Sequence, residues 1–288
     1  MAIDYDKLKA WTLPEIDLEW TWQDSALYAL GVGLGHDPLD EDQLAFVYEK
    51  AMKALPTMAV VAAAHGFWLR DPATGVDWKR VVHGEEGVTL HAPIPPAGRF
   101  VGRSRVEEII DKGPGKGALI LIERTLHEAG SGTLLATVRR TTFARGDGGF
   151  GGPAGLQAPE PHRLPEDRGP DHVCDLPTLP QQALIYRLNG DANPLHADPD
   201  VAAEAGFPRP ILHGLCTFGV AGHAVLKSLC GYDPARLKRF DVRFSAPVFP
   251  GETIRTEMWV DGGTVSFRAR VVERDVVVLS NGLAEIGR

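Results

Sequence analysis

The chain has 288 residues, 44% of them apolar, enough to fill one large core or two medium ones. Its formal net charge of -8 excludes the dominant basic surface that broad nucleic-acid or anionic-membrane binding requires, while a local cluster of Lys and Arg still suffices for a small anionic ligand. Three cysteines, Cys174, Cys216 and Cys230, are odd in number and lack metal-ligand spacing, so neither a disulfide framework nor a metal centre is expected.

Met1 to Ala10 mixes charges and has no apolar stretch before a cleavage site, unlike a signal peptide. Thr21 to Ser25 then opens an apolar segment, Ala26 to Val32, that reads as a helix closed by Gly31 and Gly33. Four strand-like segments follow, Val88 to Ile94, Phe100 to Asp111, Ala118 to Glu128 and Leu134 to Arg145, separated by Pro- and Gly-rich turns. From Arg145 to Pro180 the chain is rich in Gly and Pro. A stretch of that length extends to on the order of 100 Å. Phe150, Leu156, His172, Val173 and Leu176 supply anchors, which favours an ordered crossover over a loose tether.

The plan then repeats. Thr178 to Gln181 has capping-box spacing before a short helix, Ala183 to Leu188, that ends at Gly190. Ile211, Leu212, Leu215, Phe218, Gly222, Val225, Leu226 and Leu229 recur at helical spacing, and Gly214, Gly219 and Gly222 permit close packing on a sheet. The closing strands are Phe240 to Pro247, Thr253 to Asp261, Thr264 to Glu273 and Val276 to Ile286. No apolar run reaches the ~18 residues of a membrane span, and the C-terminal Glu-Ile-Gly-Arg is no peroxisomal address, so a cytoplasmic protein is expected.

Tyr28-Ala-Leu30 aligns with Tyr186-Arg-Leu188, Pro56 with Pro210, and the His91 to Pro96 run with Ser245 to Pro250. Three matches in one order indicate two structural repeats. The fold class is therefore α+β, each repeat a helix wrapped by an antiparallel sheet. The expected division is 1–145 for the first repeat, 146–180 for the crossover and 181–288 for the second. After Pro56 only Thr57 to Ala64 is available for a central helix, so the first repeat is expected to enclose free volume.

Only the second repeat carries chemistry. Asp191 and His196 stand five residues apart in a segment broken by Gly190 and Pro194, on a loop rather than one helix face. In the first repeat Gly33 and Pro38 occupy the corresponding places. A carboxylate and an imidazole so placed can share one water. Asp191, Asn193 and His196, followed by the Pro210 to Gly214 run, resemble the signature of the MaoC-like hydratase 2 family of enoyl-CoA hydratases. The resemblance spans Asp17 to Gly287 and implies a double hot-dog fold, a homodimer, and no metal or redox cofactor, coenzyme A being part of the substrate.

What it implies for activity is reversible hydration of trans-2-enoyl-CoA to (3R)-3-hydroxyacyl-CoA; the free volume expected in the first repeat favours medium, long or bulky acyl chains. Water addition needs a base for the water, a proton for C2 and a donor to the thioester oxygen. Asp191 and His196 supply the first two, in a division that can run either way. The Gly214 N–H at a helix start supplies the third, unless Gly214 serves helix packing alone. Asn193 holds the pair in register. By the same resemblance His83, Gly84, Lys112, Ala192, Pro194, Leu195 and Phe244 contact the substrate or its CoA moiety. Charge alone adds Arg243, near Arg236, Lys238 and Arg239. His213 and His223 read as packing residues. Two other functions compete: an acyl-CoA thioesterase on the same fold, and a non-catalytic acyl-CoA binder, against which the full dyad in the second repeat speaks.

Overall fold

Thr21 begins the first long helix of the computed structural model, which describes residues 2–287. Its hydroxyl accepts from Asp24 N while the Asp24 carboxylate accepts from Thr21 N, a reciprocal cap that starts α2, Trp22–Gly31. Before it lie α1, Tyr5–Lys9, and β1, Ile16–Trp20; after it comes α3, Glu41–Leu44. The first repeat continues as β2, Val81–Leu90, β3, Gly98–Asp111, β4, Ala118–Glu128, and β5, Leu134–Ala144. The second comprises β6, His172–Pro177, α4, Gln182–Tyr186, α5, Pro199–Glu204, α6, Gly214–Val225, β7, Leu237–Phe244, β8, Thr253–Asp261, β9, Thr264–Val271, and β10, Val276–Ile286.

All ten strands form one antiparallel sheet in the order β1-β3-β4-β5-β2-β7-β10-β9-β8-β6. Read from either end, the order is the same once each first-repeat strand is exchanged for its second-repeat counterpart. The repeats meet where β2 pairs with β7, and the offset that lays His91 on Ser245 also lays Gly87 on Asp241, which are register partners at that seam. The pseudo-twofold axis passes through that pair. A Cβ at Gly87 would crowd the Asp241 carboxylate, so Gly there leaves room for Asp241 in its present place at the seam. The same axis relates Tyr28 to Tyr186, whose rings lie 6.1 Å apart between α2 and α4. This is the α+β double hot-dog architecture.

α6 is the buried centre, with every residue from Leu215 to Val225 enclosed. Gly219 and Gly222 allow this: a Cβ at either would crowd Val32 or Thr57. In the first repeat the central helix is reduced to the 3-10 turn Pro56–Val60, whose Met58, Ala59 and Val60 are fully buried in the main core. The central helix is thus shortened as expected, and Phe46 is buried in the same core as the turn. A groove of about 500 Å³ lies elsewhere, lined by Glu85, Arg139, Thr141, Asp241 and Arg243 and edged by Pro161.

Three expectations require correction. The two edge strands β1 and β6 went unread, although Ile16, Leu18 and Trp20 of β1 alternate with Asp17 and Glu19 in the period-two pattern of a strand. Thr178 does not cap α4: its hydroxyl donates to Glu252 O at 2.7 Å, and α4 starts from Gln181 without a side-chain cap. Val173 is 52% exposed and anchors nothing. The crossover is nonetheless ordered: Phe150 packs on the small core, the Asp111 carboxylate accepts from Gly149 N and Gly151 N, and His162 and Arg168 tie it to the second sheet half through Ser266, Asn281 and Trp259.

Candidate active site

Gly190 ends the 3-10 turn Arg187–Asn189 in the left-handed region, at φ 101°, and turns the chain away from α4. Two short side-chain links then shape the loop. Asp191 Oδ1 accepts from Asn193 N at 3.2 Å, and Asn193 Oδ1 accepts from Leu195 N at 3.2 Å. Pro194 opens the next turn, Pro194–His196, with its ring pre-set for that geometry. The result brings His196 inward, 8% exposed, while Asp191 stays half-buried at the rim. Asn193 itself is exposed and acts on the dyad through these local bonds.

His196 Nδ1 donates to Ile211 O at 2.9 Å, which leaves Nε2 as the open acceptor of the neutral ring. Burial pushes the imidazole below its ordinary pKa, and the Asp191 charge pulls only partly the other way. His213 lies flat beneath it, ring centroids 3.8 Å apart, and donates from Nε2 to Asp191 O at 3.1 Å. Its other face meets Tyr186 at 5.1 Å. Burial, then the neighbouring His196, depress the His213 pKa to about 4. His213 therefore touches both members of the candidate dyad, whereas the sequence places it with the packing residues. The available signal was its position, one residue before Gly214 at the start of the central helix.

Donor atoms of Asp191, His196 and His213 lie within 4.8 Å of one another. The two ring planes are only 28° apart, so the imidazole lone pairs run side by side instead of meeting at one point about 2 Å from each nitrogen. The cluster suits hydrogen bonding to a shared water better than metal ligation.

Gly214 is the first residue of α6, and its N–H has no intrahelical acceptor. The helix dipole adds a positive field at that end. A Cβ on Gly214 would stand 3.2 Å from the Phe244 ring, so glycine is what lets the last side chain of β7 close over the helix start. His83 rests on Phe244 with ring centroids 4.5 Å apart. The structure therefore brings Asp191, His196, Gly214, Phe244, His83 and the bulge residue Gly84 toward one region, with Ala192, Pro194 and Leu195 on the rim loop.

Lys112 stands apart from that cluster. Exposed, it lies 5.1 Å over the Phe143 ring, and Phe143 pairs with Val82, so Lys112 occupies the His83 end of the sheet. Arg243 is a correction. Adjacent residues of a strand face opposite ways, so with Phe244 turned to Gly214, Arg243 points to the outer face, where Nη2 meets Glu85 Oε1 at 2.6 Å. Arg236 and Arg239 are likewise occupied, by Gly287 O and by Asp241 with Glu285. His223 is a packing residue as expected, bonded to Tyr232 Oη at 2.9 Å.

Two family models match the chain: the MFE-2 hydratase 2 N-terminal domain over residues 18–146 and the MaoC like domain over residues 163–282. An enoyl-CoA hydratase of Mycobacterium tuberculosis is 40% identical, the match covering 98% of each chain. The peroxisomal enoyl-CoA hydratase 2 of Arabidopsis thaliana is 40% identical over 96% of this chain and 93% of its own. Among solved structures, a MaoC-like dehydratase from Phytophthora capsici superposes with a TM-score of 0.85 at 35% identity, covering 98% of both chains.

Proposed function

This chain belongs to the MaoC-like hydratase 2 family and hydrates enoyl-CoA thioesters, and we propose that Asp191 and His196 carry the reaction on a water held between them. The observation that carries the proposal is the meeting, at one end of α6, of a carboxylate, an imidazole with an open Nε2 acceptor, and a free backbone N–H. Water oxygen bonds to C3 of the enoyl group as Asp191 takes its proton. Electron density moves to the thioester oxygen, which the Gly214 N–H and the α6 dipole stabilise. The enolate then collapses and C2 receives a proton from the dyad, so that the elements of one water are added and nothing is oxidised. His196 orients the water through Nε2 and shares the proton in transit. One donor of the Gly214 type contributes roughly 3 kcal/mol in the transition state.

The product is the (3R)-3-hydroxyacyl-CoA, a stereochemistry that rests on the family. No metal or redox cofactor takes part, and CoA enters only as part of the substrate. Medium, long or bulky acyl chains are favoured on the ground that the first repeat has only the Pro56–Val60 turn where the second has a full helix. The protein works as a homodimer in the cytoplasm: Leu30, Leu184 and Leu188 leave apolar surface on α2, α4 and the following turn, and the cysteines are free and buried. Among the described residues no helix is long and apolar enough to cross a membrane.

The test is mass analysis of the CoA species after incubation with trans-2-decenoyl-CoA, beside an Asp191→Asn/His196→Gln control. Gain of one water with the unmutated protein alone supports the assignment. Release of free CoA would replace it with a thioesterase, and addition of water by the control would remove the dyad from the mechanism.

A further inference from the structure

Residues three apart on a regular strand point to opposite faces of the sheet. His83 and Glu86 do not. The pairing of β2 with β5 shifts register between His83 and Glu85, leaving Gly84 as the extra residue, and both side chains fall on one face, His83 Nε2 to Glu86 Oε2 being 2.7 Å. Gly84 suits the bulge: a Cβ there would lie 3.0 Å from Thr141 O, a tight contact against backbone. The His-Gly-x-Glu run of β2 is thus one device for placing an imidazole on a carboxylate.

That carboxylate is fully buried, and across the strand pair its register partner Arg140 donates to it from Nε at 2.9 Å and Nη2 at 3.2 Å. Buried charges are retained only when paired in this way. Burial raises the Glu86 pKa, but Arg140 and His83 outweigh it and bring it down to about 2, so the acceptor stays ionised. Burial, then Arg140, push His83 below its ordinary value, so the ring is neutral and its one proton sits on Nε2, facing Glu86. The ring is held against Phe244 at 4.5 Å, and Phe244 in turn abuts the Gly214 position.

We propose that Glu86, clamped by Arg140, is a positioning residue for hydration: it fixes the tautomer and tilt of His83, and through the His83–Phe244 stack it holds the wall beside the Gly214 N–H rigid. This rests on the hydratase reading of the site. Misplacing a wall next to the thioester oxygen acts on the rate as well as on binding.

The experiment is a double-variant cycle on steady-state hydration of trans-2-decenoyl-CoA, with Glu86→Gln, His83→Ala and the pair. Glu86→Gln lowers kcat/KM about 10- to 100-fold, with kcat carrying part of the loss, and the pair is no worse than His83→Ala within about twofold, because residues acting as one unit are not additive. Losses that multiply in the pair, or a Glu86→Gln protein as active as the unmutated one, overturn the proposal. Hydration by the unmutated protein, run in parallel, tests the hydratase reading separately. Should Glu86→Gln not fold, two measurements decide: Arg140→Lys, which keeps the charge but not the two-point clamp, loses no more activity than His83→Ala, and the 15N shifts of His83 in the unmutated protein report the neutral Nε2–H form. The Nδ1–H form, or an Arg140→Lys loss larger than that of His83→Ala, overturns it.

Discussion

The imidazole of His213 lies 3.8 Å beneath that of His196 and reaches past it to donate to the backbone oxygen of Asp191. One buried side chain therefore ties the loop carrying the carboxylate to the helix end carrying Gly214. Two stacked imidazoles tolerate each other only while at most one is charged, and burial keeps both low in proton affinity.

His213→Ala removes the stack and the hold on Asp191 O. Steady-state hydration should fall about 10- to 100-fold in kcat, the size expected when a reacting group shifts by about 1 Å. Buried as it is, His213 also contributes to stability, so Tm should drop by several degrees, an effect separable by assaying well below it. Unchanged kcat would return His213 to the packing residues.

Because the His196 pKa is lowered, the open Nε2 acceptor persists below the ordinary imidazole pKa of about 6.5. The acid limb of kcat/KM against pH should therefore lie below 6.5. A limb centred at or above that value would mean that His196 is not the neutral participant described here.

Much of this arrangement was legible in the sequence, for identifiable reasons. Strands such as β4 and β8 are rich in Ile, Leu, Thr and Val and bounded by Gly turns, and their limits were read to the residue. The repeat was visible because the pseudo-twofold axis demands paired features, among them Tyr28 with Tyr186. Asp191 and His196 stand out as candidates because their spacing is a local property of one loop. The surroundings of His213 and Glu86 were not legible, since the contacts that place them are distant in the chain: His213 meets Asp191 O across the start of α6, and Glu86 meets Arg140 on the neighbouring strand. Arg243 was misread for the same reason, its facing being fixed by register with Glu85.

Stability should depend on pH through the buried histidines. His213 and His223 are both lowered to about 4, against about 6.5 when unfolded. Between these values the unfolded chain binds more protons than the folded one, so stability rises with pH. It is complete above about pH 6.5 and is lost as pH falls toward 4, by on the order of 3 kcal/mol for each group at most. Thermal melts from pH 7.5 to 5 should show Tm falling with acidification. A flat profile would show that these rings are solvated.

Gly214→Ala places a methyl 3.2 Å from the Phe244 ring. The ring must yield, which disturbs His83 and narrows the approach to the N–H, so kcat/KM should fall at least tenfold, about 1.4 kcal/mol. Shortening the obstacle tests the cause: Gly214→Ala/Phe244→Leu should recover part of the loss if the clash is responsible. No recovery would point to the glycine backbone itself.

Arg243 offers the opposite case, a cation chosen by charge and excluded by geometry. Its guanidinium is held on the outer face by Glu85, with Nε at 2.9 Å and Nη2 at 2.6 Å from one carboxylate oxygen. Arg243→Ala should therefore leave KM for enoyl-CoA unchanged within about twofold. It should instead cost up to about 1 kcal/mol of stability, the range for a partly exposed ion pair, by loosening the seam between β2 and β7. A KM rise that grows as salt is lowered would mean that a CoA phosphate reaches the outer face, and the position of the coenzyme would have to be drawn again.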